Sequence, residues 1–380
     1  MSDAVNTNQP AKILFVSNSC WSMYNFRLDV IEHLINLGYE VHVAALKDDF
    51  AIKLVNVGCK VHSIQFNNRS LSPLRDVLLL LKLKQLYKKV KPDLVFHYVI
   101  KPNIYGSIAA SQLKIPSVAV ITGLGYAFAA NNWLSSLVLK LYRYALQKVN
   151  FVWLLNKENH QMFLEKKVID GNRTNVLESE GINIEKFKPA AKNKNETFVF
   201  LMATRMLWSK GIGLFAEASK ILKCRNYNCE CKVIGFFEPN HPDSISLEQL
   251  EEWKNKNIFS YLGFSDDVKP FFIEADCFVL PTYYQEGVPR SLLEACAMQV
   301  PVITTDNAGC REIIKNKVNG LICEMNNAED LAEKMEEMIH MNPIDLKAMG
   351  MRSRDLVRQR FDVKFTIDQY VEMINKVLIK

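Results

Sequence analysis

Two carboxylates, Glu286 and Glu294, are separated by seven residues around a predicted helix start. The apolar run Cys277–Pro281 predicts a buried strand before them, and the helix is expected to open near Ser291. Free N–H groups at a helix start bind anions, and Gly287 lets a ligand approach the backbone closely. An anion site rimmed by carboxylates suits a diphosphate with hydroxyl-rich ends. The alternative interpretation is that both carboxylates lie in solvent.

Two cations, Arg205 and Lys210, follow a second predicted strand, Thr197–Ala203. Ligands of open α/β sheets bind beyond the carboxyl ends of the strands, so both cations are expected near a ligand. Arginine offers a bidentate fork and lysine a point charge, and together they can neutralise a diphosphate. The alternative is a surface loop that carries its charge incidentally.

Glycine patterns exclude one class of enzyme. The stretch Ser17–Asn25, predicted to be a loop from Asn18 onward, lacks the G-x-G-x-x-G turn of dinucleotide-binding folds. This counts against a nicotinamide- or flavin-dependent oxidoreductase. Thr122-Gly-Leu-Gly125, at another strand end, brings backbone close to a ligand or simply makes a tight turn.

Strands and helices alternate along both halves of the chain, which predicts parallel sheets covered on both faces. A polar stretch with almost no apolar content interrupts the pattern and indicates a linker. We therefore expect an α/β protein of two doubly wound, Rossmann-like domains facing across a cleft. The predicted divisions are an N-terminal domain (1–188), a linker (189–196), a C-terminal domain (197–361) and a last helix (362–380) that packs back on the N-terminal domain.

Composition is that of an ordinary globular chain, with 49% apolar and 23% charged residues among 380. Residues 1–190 hold 23 Lys and Arg against 14 Asp and Glu, whereas residues 191–380 hold 24 against 27. The basic first half favours an anionic partner. The nine cysteines lack the spacing of a zinc site and are predicted to be reduced thiols, so no metal is expected.

The segment Arg69–Lys91 is the most basic part of the first half, with seven Lys or Arg and one acid around the run Val77–Leu81. A basic helix with exposed leucines suits an anionic membrane surface; the alternative is a core-facing helix with a solvated basic side. Stacking aromatics do not alternate with these basic residues, so no nucleic acid is expected. With no predicted signal peptide or membrane span, we expect a cytoplasmic protein, at most peripheral on the inner face of the cytoplasmic membrane.

These motifs together resemble the retaining glycosyltransferases of family 4, which have the GT-B fold. The resemblance covers essentially the whole chain. Further segments are similar to the bacterial PglA-like subgroup, whose members extend lipid-diphosphate-linked glycans with N-acetylhexosamines or related sugars. The segments that carry this similarity are Tyr24–Arg27, Lys101–Asn103, Thr122–Gly125, Glu180–Phe187, Gly309–Glu312 and Asn319-Gly320.

The resemblance implies a UDP-sugar donor as substrate, no cofactor, no metal and a polyprenyl-diphosphate-linked glycan acceptor. Arg205, Lys210 and Glu286 would then be catalytic, the two cations stabilising the diphosphate leaving group. Glu294 would hold the ribose. Further donor contacts are implied for Gly287, Val288, Pro289, Arg290, Leu262, Phe264 and Gly123.

The N-terminal half is expected to hold the acceptor. Many family members place a histidine where this chain has Gly123, so sugar contacts would come from backbone or from His97; the alternative is that His97 is a hydrogen-bonded histidine at a strand end. Tyr24, Arg27 and Lys101 are the other acceptor candidates. Two functions compete with glycosyl transfer: a nucleotide-sugar epimerase of GT-B shape, and a non-catalytic sugar-nucleotide-binding protein.

Overall fold

The computed structural model describes residues 10–66, 72–123, 133–191, 197–238, 241–284 and 287–378. The chain divides into two compact units, and the C-terminal helix belongs to the first. Unit 1 comprises residues 1–181 and 363–380, and unit 2 comprises residues 182–362.

Unit 1 is built on a parallel seven-stranded sheet in the order β3-β2-β1-β4-β5-β6-β7. The inner strands are mostly apolar and buried, as expected for a sheet covered on both faces, whereas the edge strands β3 and β7 carry polar residues and are not buried. Their bounds are β1 Lys12–Ser19, β2 Glu40–Leu46, β3 Lys60–Ser63, β4 Leu94–Tyr98, β5 Ser117–Ile121, β6 Phe151–Leu154 and β7 Thr174–Val176.

Helices cover both faces of this sheet. On one face, α1, α2 and the C-terminal helix α14 share a core with β1, β2 and β4. On the other face, α3 and α4 pack on β1 and β4, and α5 and α6 pack on β5 and β6. The bounds are α1 Cys20–Asn36, α2 Phe50–Val57, α3 Pro73–Val90, α4 Ser107–Gln112, α5 Trp133–Leu146, α6 Lys157–Glu165 and α14 Val363–Leu378, with a π-helical turn Pro102–Gly106 before α4 and a 3-10 turn Gly171–Arg173 before β7.

Unit 2 repeats the design with a parallel six-stranded sheet in the order β10-β9-β8-β11-β12-β13. The central strands β8 and β11 are neighbours, so their carboxyl ends lie side by side. The strands are β8 Phe198–Ala203, β9 Cys229–Ile234, β10 Ser260–Tyr261, β11 Cys277–Leu280, β12 Val302–Thr305 and β13 Leu321–Cys323.

Two clusters of buried side chains hold the helices of unit 2 to its sheet. The first cluster contains α7, α8 and α12, and the second contains α9, α10, α11 and α13. The bounds are α7 Ile212–Cys224, α8 Leu247–Asn255, α9 Lys269–Glu274, α10 Arg290–Ala297, α11 Ala308–Arg311, α12 Ala328–His340 and α13 Pro343–Arg360, with a 3-10 turn Trp208–Lys210 before α7.

The start of unit 2 corrects one predicted boundary. Residues 182–188, assigned to the first domain from the sequence, belong to the second unit. Ile182, Ile184 and Phe187 are buried in the cluster around α10. Arg354 donates hydrogen bonds to the carbonyl oxygens of Phe187 (2.8 Å) and Ile184 (3.1 Å). The polar stretch that follows placed the predicted linker too far along the chain, because Ile182, Ile184 and Phe187 before it already pack in the core of unit 2. Residues 192–196 of that linker lie outside the described residues.

Helix α1 starts earlier than predicted. The stretch Asn18–Asn25 was expected to be a loop, yet the helix begins at Cys20. The Ser19 hydroxyl accepts a hydrogen bond from the backbone N–H of Ser22, which caps the helix. Cys20, Trp21 and Met23 make the first turn apolar on more than one side, so no amphipathic period marks the helix start in the sequence. Tyr24 therefore lies on a helix and not in a ligand loop.

Candidate active site

The loop after β8 carries the two cations singled out from the sequence. Lys210 closes the 3-10 turn Trp208–Lys210 and is 6% exposed. Gly211 follows with a φ of +83°, and a β-carbon there would lie 2.1 Å from the carbonyl oxygen of Pro281. Only glycine combines this left-handed backbone with so close an approach. The loop after β8 is thereby fixed against the end of β11.

Further hydrogen bonds join the same two loops. The backbone N–H of Tyr283 donates to the carbonyl oxygen of Ser209 over 2.9 Å, and the Thr282 hydroxyl donates to the same oxygen over 3.3 Å. The Asn307 amide donates to the carbonyl oxygen of Tyr284 over 2.8 Å. Loops from three neighbouring strands, β8, β11 and β12, are thus tied together at the carboxyl edge of the sheet.

Arg205 and Lys210 meet at one aromatic ring. The Lys210 Nζ lies 4.9 Å from the centroid of the Tyr284 ring, and the Arg205 guanidinium carbon lies 5.8 Å from it. Arg205 Nη1 also lies 3.3 Å from Glu238 Oε2, a carboxylate on the loop after β9. Two positive charges are therefore held close together at the edge where ligands of open sheets bind. Such a pair favours an anion with more than one negative charge.

Helix α10 supplies the second half of the predicted anion site. It begins at Arg290, one residue before the predicted start, with Pro289 as its N-cap residue. Gly287 and Pro289 are buried and Val288 is half-buried. The catalytic candidate Glu286 lies outside the described residues.

Glu294 sits on the second turn of α10 and not in solvent. Its Oε1 lies 3.1 Å from Arg290 Nε, and its side chain is 13% exposed. Burial raises the pKa of Glu294, against the opposing effects of Arg290 and, at longer range, Lys186. A desolvated carboxylate gains most from hydroxyl donors, because hydrogen bonds replace the water it has lost.

Leu262 and Phe264 offer apolar surface at the end of β10. They are 39% and 51% exposed, and Phe264 makes an edge contact with Phe236, with ring centroids 5.9 Å apart. Gly263 between them has a φ of +78° and open space where a side chain would stand. An exposed apolar pair of this kind can cover one face of a flat ring.

In unit 1, Gly123 and Tyr24 remain accessible candidates. A β-carbon at Gly123 would have no atom of the described residues within 4 Å, so this part of the structure leaves room for a ligand beside the backbone. Tyr24 is half-buried, with its ring centroid 5.4 Å from that of Phe50.

Arg27, predicted to contact the acceptor, is instead part of the core. It is 4% exposed and forms an ion pair with Glu180, whose side chain is 10% exposed, and its guanidinium lies 4.2 Å from the centroid of the Tyr98 ring. Its Nη1 donates to the carbonyl oxygen of Ser22 over 3.3 Å. Arg27 thus holds α1 to β4 and to the end of unit 1. The prediction of an acceptor contact was wrong for this residue.

His97 is also a core residue, which corrects its prediction as a sugar contact. It is fully buried, with Nε2 2.8 Å from the Tyr87 hydroxyl and Nδ1 3.3 Å from the Ser107 hydroxyl. Burial lowers the pKa of His97 to about 3. The alternative given from the sequence, a hydrogen-bonded histidine at a strand end, describes it.

Lys101 is bound to a neighbouring helix. Its Nζ lies 2.6 Å from Asp76 Oδ1, and the Tyr105 hydroxyl donates to the other oxygen of that carboxylate over 2.8 Å. Asp76 stands in the first turn of α3. Lys101 therefore fixes the start of α3 beside the carboxyl end of β4. Its contact with Asp76 positions the helix.

Sequence reasoning missed three residues at the edge of unit 2. Tyr284 supports both cations, Glu238 pairs with Arg205, and the charge of Lys186 partly opposes the rise that burial causes in the pKa of Glu294. Tyr284 lies just after the carboxyl end of the predicted strand, and this position was the signal in the sequence that could have identified it. Glu238 and Lys186 are far in sequence from their partners and gave no such signal.

No three His, Cys, Asp or Glu side chains in the described ranges are grouped as a metal site requires. All nine cysteines are free thiols. Across the same part of the chain, none of the helices has both the length and the apolar character that crossing a membrane demands.

Two family models match this chain. The model described as "Glycosyl transferase 4-like" matches residues 12–156, and "Glycosyl transferases group 1" matches residues 183–355. A Campylobacter jejuni protein named N,N'-diacetylbacillosaminyl-diphospho-undecaprenol alpha-1,3-N-acetylgalactosaminyltransferase is 29% identical, covering 97% of this chain and 99% of the relative. An Escherichia coli protein named UDP-Gal:alpha-D-GlcNAc-diphosphoundecaprenol alpha-1,3-galactosyltransferase is 26% identical over 80% of this chain and 82% of that protein.

Solved structures match the fold along nearly the whole chain. A glycosyltransferase from Rickettsia africae is 21% identical with a TM-score of 0.78, covering 97% of this chain and 99% of the other. Anabaena HepE in complex with UDP and glucose is 18% identical with a TM-score of 0.79, covering 96% of this chain and 100% of the other. With both halves matched by glycosyltransferase models and both sheets in place, the chain belongs to the group 1, family 4-like glycosyltransferases of GT-B fold.

Proposed function

We propose that this glycosyltransferase moves an N-acetylhexosamine or related hexose from a UDP-sugar to a polyprenyl-diphosphate-linked glycan, with retention of configuration. One observation carries the donor assignment: Arg205 and Lys210 converge on Tyr284 at the carboxyl ends of β8 and β11. The named C. jejuni and E. coli relatives act on undecaprenyl-diphosphate-linked sugars, which supports the acceptor class.

In this proposal, Arg205 and Lys210 bind the donor diphosphate. The bond from the sugar C1 to the diphosphate oxygen breaks, and negative charge builds on the departing UDP. Fixed cations stabilise that charge more in the transition state than in the ground state, which is what accelerates the step. The backbone N–H groups at the start of α10, near Gly287 and Arg290, add to the same effect.

The acceptor hydroxyl attacks C1 from the face that the diphosphate leaves, so the configuration is retained. Its proton passes to a phosphate oxygen of UDP as the new glycosidic bond forms. Because the two cations supply the positive charge, the proposal requires no metal and no cofactor. Activity in excess EDTA tests this point.

The remaining donor contacts follow from position. Glu294 accepts hydrogen bonds from the ribose hydroxyls, and Leu262 and Phe264 lie against the base. Glu286, with the backbone of Gly287–Arg290, holds the sugar and phosphate. In unit 1, Gly123 stays a candidate for contact with the donor, and Tyr24 for contact with the acceptor.

The acceptor class also places the reaction. A polyprenyl-diphosphate glycan is anchored in a bilayer, so we propose that the enzyme works at the inner face of the cytoplasmic membrane, in the assembly of a surface polysaccharide or glycoprotein glycan. The basic segment Arg69–Lys91 is the candidate for that contact. No nucleic acid takes part.

The first test is the melting temperature with UDP, GDP or NAD. A ligand at a hundred times its dissociation constant stabilises by about 2.7 kcal/mol, a rise of several degrees. We expect UDP to give this rise in the wild type and Arg205→Ala/Lys210→Ala to lose it. The control is Lys254→Ala/Lys256→Ala, two exposed cations of unit 2 that pair with the helix carboxylates Glu251 and Glu252.

Each outcome decides the donor assignment. A rise with GDP in place of UDP keeps the fold and changes the donor. A rise with NAD alone, or a UDP rise that survives in the double variant, overturns the assigned site. Transfer from a radiolabelled UDP-sugar to a polyprenyl-diphosphate glycan then tests the acceptor, and epimerised donor without transfer would contradict the proposal.

A further inference from the structure

Helix α3 is apolar on two opposite faces. Its inner face carries Leu79, Leu83, Tyr87 and Val90, which are buried in the core of unit 1. Its outer face carries four apolar side chains that are half or more exposed. These are Leu74 at 79%, Val77 at 55%, Leu78 at 56% and Leu81 at 50%.

The outer residues form one stripe, because positions i, i+3, i+4 and i+7 share a face of a helix. Soluble monomers rarely expose contiguous apolar groups of this kind, and a helix that is apolar on both sides is normally covered on both. The core of unit 1 covers the inner face, so a partner outside this core is needed to cover Leu74, Val77, Leu78 and Leu81. These four residues are called here the outer leucine stripe.

The charges around the stripe identify that partner. Six Lys or Arg stand between Arg75 and Lys91, against one acid. That acid, Asp76, is bound to Lys101 at 2.6 Å and does not face a partner as a negative charge. Arg75 and Lys82 are exposed on one flank of the stripe. Lys88 and Lys89 are exposed farther along the helix and extend this positive charge. Apolar side chains beside cations match a bilayer with anionic headgroups.

A neighbouring helix extends this surface. Helices α3 and α5 both pack against the segment 102–112 on the same side of the sheet. On α5, Leu137 and Tyr144 are 44% and 55% exposed. Lys140 and Lys148 stand beside them, and the Lys148 Nζ lies 4.9 Å from the centroid of the Tyr144 ring. Exposed tyrosine with lysine is typical of the interfacial region of a membrane.

The position of the stripe links it to the acceptor. The Asp76–Lys101 and Asp76–Tyr105 contacts fix the first turn of α3 beside the carboxyl end of β4. The stripe occupies the half of α3 that begins there. We propose that the outer leucine stripe inserts shallowly into an anionic bilayer, so that the carboxyl edge of the unit 1 sheet faces the lipid surface. The part of this proposal that concerns the acceptor rests on the proposed function; the membrane contact does not.

The test is co-sedimentation of the full chain with vesicles of phosphatidylcholine, with or without about one third phosphatidylglycerol. We expect binding to the anionic vesicles, weakened by salt, and a loss of at least about tenfold in Leu74→Ser/Leu78→Ser. The matched control is Leu247→Ser/Ile344→Ser, two exposed apolar residues of unit 2 at 62% and 75%, which should bind like the wild type.

Three results would overturn the proposal: no binding by the wild type, equal binding by Leu74→Ser/Leu78→Ser, or a wild-type dimer that this variant converts to a monomer without any vesicle binding. The last would make the stripe a contact between two copies. The UDP-induced melting shift is measured on the same preparations. Vesicle binding without a UDP shift would refute the donor assignment and leave the membrane contact standing, and a UDP shift without vesicle binding would do the reverse.

Discussion

The Lys210 Nζ lies 4.9 Å from the centroid of the Tyr284 ring, and Lys210 itself is buried. An aromatic face attracts a cation without neutralising it. The Tyr284 ring therefore helps to hold Lys210 in place and leaves the positive charge of the lysine intact.

This contact predicts different outcomes for two variants of Tyr284. Tyr284→Leu removes the ring, and we expect a loss of about 1 kcal/mol, roughly fivefold in kcat/KM for the donor. Tyr284→Phe keeps the ring and should stay within about twofold of the wild type. Steady-state kinetics with varied donor measures both. Equal losses in the two variants would show that the hydroxyl, and not the ring, is what matters.

Two glycines allow the cost of the close approach between the loops after β8 and β11 to be separated from the cost of a left-handed backbone. Gly211 and Gly263 have similar φ values of +83° and +78°, but only a β-carbon at Gly211 would meet an atom, the Pro281 oxygen at 2.1 Å. Gly263→Ala should cost about 1–2 kcal/mol for the backbone alone. Gly211→Ala should cost about 1–3 kcal/mol more and weaken the UDP-induced melting shift, because Lys210 moves with the loop. Urea unfolding compares the two, and equal costs would contradict the steric argument.

The buried ion pair between Arg27 and Glu180 predicts a loss of stability without a loss of acceptor affinity. Arg27→Met leaves Glu180 buried without its cation and should cost about 3–5 kcal/mol, and Arg27→Met/Glu180→Leu should recover part of that cost. Chemical denaturation measures the stability, and transfer assays below the melting temperature measure KM for the acceptor. A stable Arg27→Met enzyme with a raised acceptor KM would restore the role first predicted from the sequence.

Local pattern was enough to predict most of the fold. The run Ser117–Ile121 is apolar after its first residue, which predicts a buried strand, and the structure has β5 at these residues. The strand β13, Leu321–Cys323, and the helix α2, Phe50–Val57, were not predicted. Three residues are too few to show a period, and α2 buries only Phe50 and Leu54.

The site was harder to predict where pairing decides a residue's role. Arg205 and Lys210 were identified because a strand end fixes where they lie. Arg27 and His97 were misassigned because their partners come from elsewhere in the fold: Glu180 is 153 positions from Arg27, and the two groups that bind His97 come from α3 and α4. A sequence motif shows that such a residue is polar, but not that the fold has already supplied its hydrogen bonds.

His97 predicts how stability depends on pH. Burial lowers the pKa of the folded-state histidine to about 3, whereas an unfolded histidine has a pKa of about 6.5. Below about pH 6.5 the unfolded chain therefore binds a proton that the folded protein does not. The contribution of the neutral His97 to the free energy of unfolding is fully present above about pH 6.5. Below that pH it falls by about 1.4 kcal/mol for each pH unit, until the folded pKa is reached.

The substitution His97→Asn tests this dependence, because an amide can still bind the Tyr87 hydroxyl but does not titrate. We expect it to lower stability at pH 7.5, yet to lose less than the wild type between pH 6 and pH 5, by about 1.2 kcal/mol. Urea denaturation at these pH values gives the slopes, and His33→Asn, at an exposed position of α1, should keep the wild-type slope. An unchanged slope in His97→Asn would mean that His97 becomes protonated within the fold, and its hydrogen bonds to Tyr87 and Ser107 would then need another explanation.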